Sequence, residues 1–520
     1  MIREERLASL SPDQPVDLLV VGGGATGLGV ALDAVLRGFS VVLAESHDFA
    51  GGTSSRSTKL LHGGVRYLAQ GNLSLVREAL AERATVLSVA PHLAQPLPFV
   101  MPSYHWWQTP FYGLGLKLYD LLAGKAGIGR TELLSRAEAM QALPGVQERG
   151  LRGGVQYWDG QFDDARLALA LARTAEAAGG RLFNYLEVTG LQAEGDLTRV
   201  TLRDRLGTDT RVVRARCVVN ATGVWVDTLR SAGGTPSRMV SPSQGVHVVV
   251  DRDFLAGHHA LLVPRTRDGR VLFAVPWLGK LILGTTDTPR ADLPREPDAF
   301  AEELEFILSE AGQALSRPVR RRDIRSLWVG LRPLVAPPAS SDGETRRLSR
   351  EHTIVIDGRL VTVTGGKWTT YRAMADDVMA RCFAAGLLPA RASGHTERQP
   401  LVGSPGPGAV ATPLHQAPGM HLFGAESAEV SASGSADPVG MGLTDAMVRH
   451  AFRREHARTV EDVLARRWRS LFLDATAAGR MAPLVAAILD DEAARAGLPP
   501  RPAAELDDFL ALCRRYLPVA

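Results

Sequence analysis

The chain has 520 residues, 45% of them hydrophobic and 22% charged, which excludes wholesale disorder and allows about three domains. Fifty-nine basic residues face 56 acidic ones, and a net charge of +3 is too small to imply nucleic-acid binding. Cys217, Cys382 and Cys513 are far apart without metal-type spacing, so they read as reduced thiols of a cytosolic compartment, with no metal site.

The opening MIREERLASLSPDQP is polar and has no apolar segment of the kind a secretory signal needs. No uninterrupted apolar run reaches the roughly 18 residues of a spanning helix. Asp17-LLVV-Gly22 reads as a buried strand, a helix follows from Gly27 to Arg37 with Gly38 as its stop, and SVVLAE is a second strand ending at Glu45. Strand, helix and strand at this length form a βαβ unit with parallel pairing. Residues 72–150 look helical and loop-like, with aromatics at Trp106, Trp107, Phe111 and Tyr112. An alanine-rich helix is expected from Asp164 to Ala178, and CVVN at 217–220 is another buried strand. From Val246 the pattern changes to short alternating strands, VHVVV, ALLVP, RVLFAVP and LILGTTD, which suggest an antiparallel sheet facing a substrate. Residues 353–364 read as a hairpin about Asp357-Gly358, and a helix starts near Thr369. Residues 401–441, rich in Pro, Gly, Ser and Ala, read as a linker or mobile loop. TDAMVRHAFRREHARTVEDVLARRW then opens a helical C-terminal domain, and no internal repeat is seen.

The first βαβ unit carries Gly22-x-Gly24-x-x-Gly27, with Thr26 inside the loop, directly after a strand and opening a helix. The first glycine permits the turn, the second lets a pyrophosphate approach the backbone, and the third lets helix and strand pack closely. Free N–H groups and the positive helix end suit phosphate. Glu45 closes the second strand, where a carboxylate accepts from ribose hydroxyls and disfavours a 2′-phosphate.

This unit alone does not separate FAD from NAD. Three later stretches favour FAD. GGTSSRSTK (51–59) brings the hydroxyls of Thr53, Ser54, Ser55 and Ser57 after the second strand. VVNATG (218–223) returns a small-residue turn, Ala221, Thr222 and Gly223, to the sheet. TVTGGKWTTYR (362–372) pairs glycines with a helix start and offers Gly366, Lys367, Trp368 and Thr369. A long dinucleotide wrapped by distant segments accounts for all three.

GGGATGLG, GTSSRSTKLLHGGVRYL, VNATGVWVD, GTTDTP, VGLRPL, LSREHTI and GGKWTTYR occur in the order in which FAD-dependent glycerol-3-phosphate dehydrogenases carry them. EHARTVEDVLARR resembles the helical domain of the same family, and the likeness runs from about residue 16 to residue 480. The resemblance implies an α/β fold: a Rossmann-type FAD domain of the amine- and amino-acid-oxidase type, an inserted antiparallel substrate domain, and a helical C-terminal domain. On that reading residues 16–75, 150–240 and 350–385 form the discontinuous FAD domain, 76–149 and 241–349 the substrate-binding cap, 386–441 a linker and 442–520 the helical domain. No cysteine or histidine stands out as an attachment point, so non-covalent FAD is expected; the resemblance implies Gly63 and Gly64 approached by its ring, His62 beside it, and the backbone near Val188 against the adenine.

Oxidising a secondary alcohol with a flavin needs a C–H aimed at the ring, a base for the hydroxyl proton, and cations for a phosphate. The resemblance places Arg66, Tyr67, His247, Thr285, Arg332, Arg350 and Lys367 around the substrate. Arg66 and Arg332 are expected to hold the phosphate, and Arg350 and Lys367 to lie near the glycerol oxygens and the electron-rich flavin edge. His247 is the expected base and His62 the second choice. One departure stands out: the family's KGxH run is Gln244-Gly245-Val246-His247 here.

The resemblance further implies a quinone acceptor and peripheral contact with the inner face of the cytoplasmic membrane. WWQTPFYGLGLKLYDLLAGK (106–125) suits an interface, but its aromatics suit packing between domains equally. A homodimer is compatible with the sequence. The rival readings are a glycerol-3-phosphate oxidase passing electrons to oxygen, an amine or amino-acid oxidase, and a flavin-binding protein without turnover.

Overall fold

The structure, a computed structural model, describes residues 3–65, 72–234, 238–336, 352–406 and 409–518. Val16–Val21 is apolar and almost wholly buried, the pattern of a strand covered on both faces. It pairs in parallel with Val41–Ala44 on one side and Thr210–Asn220 on the other. Arg181–Phe183 and Leu360–Thr364 extend the parallel core outward. The hairpin partner Thr353–Asp357 and the meander Leu186–Glu194 with Leu197–Asp204 add antiparallel edges, which makes eight strands. Helices Ala25–Leu36, Asp164–Ala177 and Tyr371–Ala384 cover one face through Leu28, Leu32, Leu171, Met374 and Val378. The first helix ends at Arg37 and turns through Gly38 at φ +83°, a left-handed position that suits glycine.

A second sheet of ten strands carries the alternating segments read after Val246. Its long central strand Val240–Asp251 lies between Lys280–Gly284 and Ser326–Val335, antiparallel to both. Two ten-residue strands of this sheet depart from the sequence reading, as do the short strands Leu60–Leu61 and Glu132–Ser135. Ala94–Ser103 falls in the region expected to be helical and loop-like, and Gly153–Phe162 falls inside the span assigned to the nucleotide domain; both belong to the second sheet. Prolines concealed the first. Pro96 and Pro98 are paired on one side only, with Gly153–Phe162, because the parallel partner Ala260–Val263 reaches only Phe99 and Val100. A proline is tolerated where its nitrogen owes the ladder nothing.

The C-terminal helices Asp445–Arg454, Ala475–Arg495 and Ala504–Arg515 share one core with this sheet, in which Trp277, Ile282 and Trp328 meet Trp468, Leu471 and Phe472. The stretch 401–441 is a packed strap rather than a free linker. Leu401 inserts into the core of the first sheet, while Leu414, Leu422, Phe423 and Val430 insert into that of the second. These apolar residues have no regular spacing because each serves a different neighbour, so periodicity misses them. Among the described residues all three cysteines are free, and Cys217 and Cys382 lie with Sγ atoms 3.7 Å apart in the first core. No described helix is long and apolar enough to cross a membrane.

Candidate active site

A cavity of about 1600 Å³ runs between the two sheets and gathers residues from distant parts of the chain. At its inner end lies the loop between Val16–Val21 and Ala25–Leu36. Gly22 has φ +110°, and a Cβ there would lie 2.6 Å from the Ala221 carbonyl. Gly27 leaves no room for a side chain against the Gly22 carbonyl, so it seats the helix on the strand and does not line the cavity. Gly24 and Thr26 do line it, at a helix start whose N-cap, Gly24, has no side chain of its own to cap it. The Glu45 carboxylate accepts from the Gly23 N–H at 2.7 Å and the His47 N–H at 2.9 Å, which fixes the strand ends and still presents it to the cavity.

Most of residues 51–62 form the cavity wall, and several are held from behind. The Ser54 hydroxyl accepts from the Ala25 N–H at 2.9 Å, and the Ser54 carbonyl accepts from Trp368 Nε1 at 2.9 Å. Thr53 Oγ1 donates to the Leu331 carbonyl at 2.7 Å, tying the wall to the strand that carries Arg332. Ser57 Oγ donates to Asp164 at 2.7 Å. Ser55, expected at the cofactor, is buried instead, and its carbonyl accepts from Lys59 Nζ and Arg469 Nη2, each at 2.7 Å. Gly63, expected against the ring, does not line the cavity either. A Cβ there would meet the Tyr119 hydroxyl and lie 2.5 Å from Leu80, so protein packing demands this glycine. His62 and Gly64 do line the cavity, as do Val188, Ala221, Thr222 and Gly223. Gly366, Lys367, Trp368 and Thr369 close it from the strand Leu360–Thr364.

The substrate end is built on Val240–Asp251 and its neighbours. His247, Thr285, Arg332 and Lys367 all line the same cavity. Arg332 Nη2 donates to the Thr286 carbonyl at 2.9 Å and to Thr285 Oγ1 at 3.2 Å, while Nη1 donates to the Gln244 carbonyl at 3.2 Å and to Asp287 at 3.1 Å. Gly245 makes room for it, since a Cβ there would lie 2.7 Å from both the guanidinium carbon and Thr285 Oγ1. His247 is 3% exposed, its ring stacked on Trp328 at 5.2 Å. Burial, then the charges of Lys59 and Arg332, hold its pKa well below the ordinary value, so the imidazole is neutral. Arg66, Tyr67 and Arg350 lie outside the described residues.

Gln244, where the family resemblance calls for lysine, is fully buried behind the cavity. Its amide nitrogen donates to Glu303 at 2.5 Å and its oxygen accepts from Arg290 at 2.6 Å. Glu303 also accepts from Thr286 Oγ1 at 2.8 Å, so the glutamine braces the turn beneath Thr285 and touches no cavity.

Sequence reasoning missed the supports behind the wall. Lys59 is fully buried, bonds Asp164 at 2.7 Å and lies over Trp328 and Phe472; burial pushes its pKa down to about 7 against the opposing pull of Asp164. Arg466 and Arg467, from the C-terminal domain, both donate to Asp48, next to the wall. They outweigh the upward push of burial and hold the Asp48 carboxyl below its usual range. The one signal for these residues was their dense charge in TVEDVLARRWR, which a solvated helix face explains equally well.

The residues fit FAD. The glycine turn leaves backbone N–H groups open at a helix start, Glu45 faces the same space, and the cavity continues past a second glycine pair, Gly365 and Gly366, at φ +82° and +72°.

Comparison with known proteins agrees. The profile of the FAD dependent oxidoreductase family matches residues 17–380, and that of the C-terminal domain of alpha-glycerophosphate oxidase matches 395–495, which takes in the packed strap. The mitochondrial glycerol-3-phosphate dehydrogenase of Bos taurus is 40% identical over 94% of this chain and 72% of its own length. That of Arabidopsis thaliana is 37% identical over 94% of this chain and 85% of its own. The crystal structure of glycerol-3-phosphate dehydrogenase from Bacillus halodurans complexed with FAD superposes with a TM-score of 0.76 at 27% identity, over 99% of this chain and 97% of that one. The chain is an enzyme with FAD as its cofactor, and it belongs to the FAD-dependent glycerol-3-phosphate dehydrogenase family.

Proposed function

We propose that this enzyme oxidises sn-glycerol 3-phosphate to dihydroxyacetone phosphate and that the electrons pass from FAD to a membrane quinone. The observation that carries this reading is the single cavity in which the glycine loop, His247, Thr285, Arg332 and Lys367 converge. Bound FAD supplies the two-electron acceptor. The side chains supply the rest. Arg332, held by fixed acceptors, presents its guanidinium fork to the phosphate, a role it shares with Arg66. Lys367 places positive charge near the glycerol oxygens and stabilises the negative charge that develops on the cofactor, a role the family resemblance also gives Arg350. His247, kept neutral, takes the alcohol proton. Several cations around one pocket suit a phosphate dianion better than an amino-acid carboxylate.

The helix Gln108–Ala123 supports the quinone and the membrane. Its inner residues Gly113, Leu116, Tyr119 and Ala123 are buried, whereas Phe111, Leu114 and Leu121 are 66%, 76% and 76% exposed beside Trp106 at 78%. These side chains therefore do not pack between domains. With Lys117 and Lys125 exposed nearby, they form an apolar face with basic flanks, as an interfacial helix requires. The cavity extends to Phe111, Leu114 and Leu118 of this helix, which provides an apolar approach for a quinone.

The test is anaerobic reduction of the yellow holoenzyme. sn-Glycerol 3-phosphate bleaches the flavin and a panel of amino acids does not; the reverse result refutes the substrate. Reoxidation by a short-chain quinone analogue then outpaces reoxidation by oxygen. Stoichiometric peroxide in aerated buffer instead assigns the oxidase activity.

A further inference from the structure

We propose that Thr58 is a catalytic residue of this site, whose hydroxyl passes the substrate's alcohol proton to His247; the inference rests on the alcohol oxidation proposed above. Thr58 Oγ1 lies 2.9 Å from His247 Nε2. Thr58 is half-buried and lines the cavity, whereas His247 is almost fully enclosed. One face of the imidazole stacks on Trp328. Gly284 lies at its edge, so close that a Cβ there would come within 2.6 Å of His247 Cδ2. Nδ1 is sealed from solvent and has no hydrogen-bond partner among the described residues. Nε2 is therefore the nitrogen through which His247 exchanges a proton, and the Thr58 hydroxyl is its hydrogen-bond partner.

The direction of transfer follows from the Nδ1-protonated tautomer that the relay requires. With Nδ1 protonated, Nε2 carries a lone pair that accepts from Thr58 O–H, and the Thr58 oxygen turns its own lone pairs to the cavity. In the oxidation the carbinol C–H leaves as hydride to oxidised FAD and the C–O bond becomes C=O. The alcohol proton bonds to Thr58 Oγ1 as the Thr58 proton moves to His247 Nε2. One hydride and one proton leave the substrate, threonine is regenerated, and the imidazole ends with one added proton, which it returns to solvent after product departs. Thr58 is held in place because the wall around it is pinned: Ser57 to Asp164, and Lys59 to Asp164 and the Ser55 carbonyl.

Thr58→Val keeps the side-chain shape and removes the hydroxyl, and Thr58→Ser restores it. In anaerobic stopped flow with sn-glycerol 3-phosphate, Thr58→Val is expected to slow flavin reduction by about 100-fold or more, the scale of a lost proton-transfer group. FAD stoichiometry and substrate Kd should stay within about threefold of wild type and Thr58→Ser should recover most of the rate, since all contacts but the proton path survive. Thr58→Val/His247→Ala should be no slower than the worse single variant, because both residues serve one path. A second readout is independent of turnover. In ¹⁵N-histidine NMR of the holoenzyme, assigned with His247→Asn, wild-type Nε2 should appear as an unprotonated, hydrogen-bonded nitrogen that moves downfield in Thr58→Val. A Thr58→Val enzyme reduced at the wild-type rate, additive single effects, or a protonated Nε2 in wild type overturns the relay. A wild-type flavin that stays oxidised with sn-glycerol 3-phosphate overturns the functional reading, and the relay with it.

Discussion

Arg332 offers the sharpest test of the phosphate assignment, because its partner Asp287 lets the effect be worked in two parts. Truncating Arg332→Ala removes a charge-assisted contact, which costs about 1.5–3 kcal/mol. It also takes the cation away from Asp287, a carboxylate only 9% exposed that Arg332 Nη1 holds at 3.1 Å and that Ser243 Oγ still bonds. The uncompensated charge then opposes the incoming dianion. At an effective dielectric of about 20, two like charges about 8 Å apart repel by about 2 kcal/mol. Together these come to about 3.5–5 kcal/mol, or a rise in KM of about 300- to 4,000-fold at about 1.4 kcal/mol per decade. The control is the double variant Arg332→Ala/Asp287→Asn, which removes the repulsion but not the lost contact and should recover at least about tenfold. The assay is steady-state kinetics with a dye acceptor, with flavin absorbance checked in each preparation. FAD content should not change, since Arg332 bonds the turn 285–287 and the Gln244 carbonyl and no part of the glycine loop. A KM within threefold of wild type, or a double variant no better than the single, refutes the reasoning.

Three further outcomes are expected. Because burial and two neighbouring cations lower the pKa of His247, the base is already unprotonated at its ordinary value of 6.5, so the acid limb of kcat/KM should lie well below pH 6.5; an inflection at 6.5 that disappears in His247→Asn refutes this. Gly22→Ala combines a strained φ of +110° with a clash against the Ala221 carbonyl, and should yield a colourless protein by flavin absorbance, whereas retained stoichiometric FAD contradicts the role given to the turn. Arg467→Met leaves Asp48 and Asp462 buried with Arg466 alone and should lower stability by about 3–5 kcal/mol in urea unfolding of the holoenzyme, while a loss below about 1 kcal/mol shows that the cluster relaxes or admits water.

The residues that approach the cofactor are largely legible in the amino-acid sequence. A strand, three glycines at fixed spacing, a helix and a terminal carboxylate are local features, since neighbouring residues impose the turn geometry and the helix start supplies the donors. Long runs such as GTSSRSTKLLHGG and GGKWTTYR carry the rest, because a wall that meets a ligand along its length leaves a contiguous signature. Gly63 and Ser55 show the limit of that reading. Both sit inside such a run, yet one answers to Tyr119 and Leu80 and the other to Lys59 and Arg469.

Tertiary structure alone decided what depends on partners far away in the chain. Ala94–Ser103 is a strand in spite of its prolines because pairing over Pro96 and Pro98 is one-sided. The stretch 401–441 is a strap because single apolar side chains find separate cores. Lys59 and Arg469 are buried charges because Asp164 meets both, and Thr58 faces His247 across 189 residues of chain. Periodicity and composition report on neighbours in sequence, whereas a buried ion pair or a shared proton depends on which side chains the fold brings within about 3 Å.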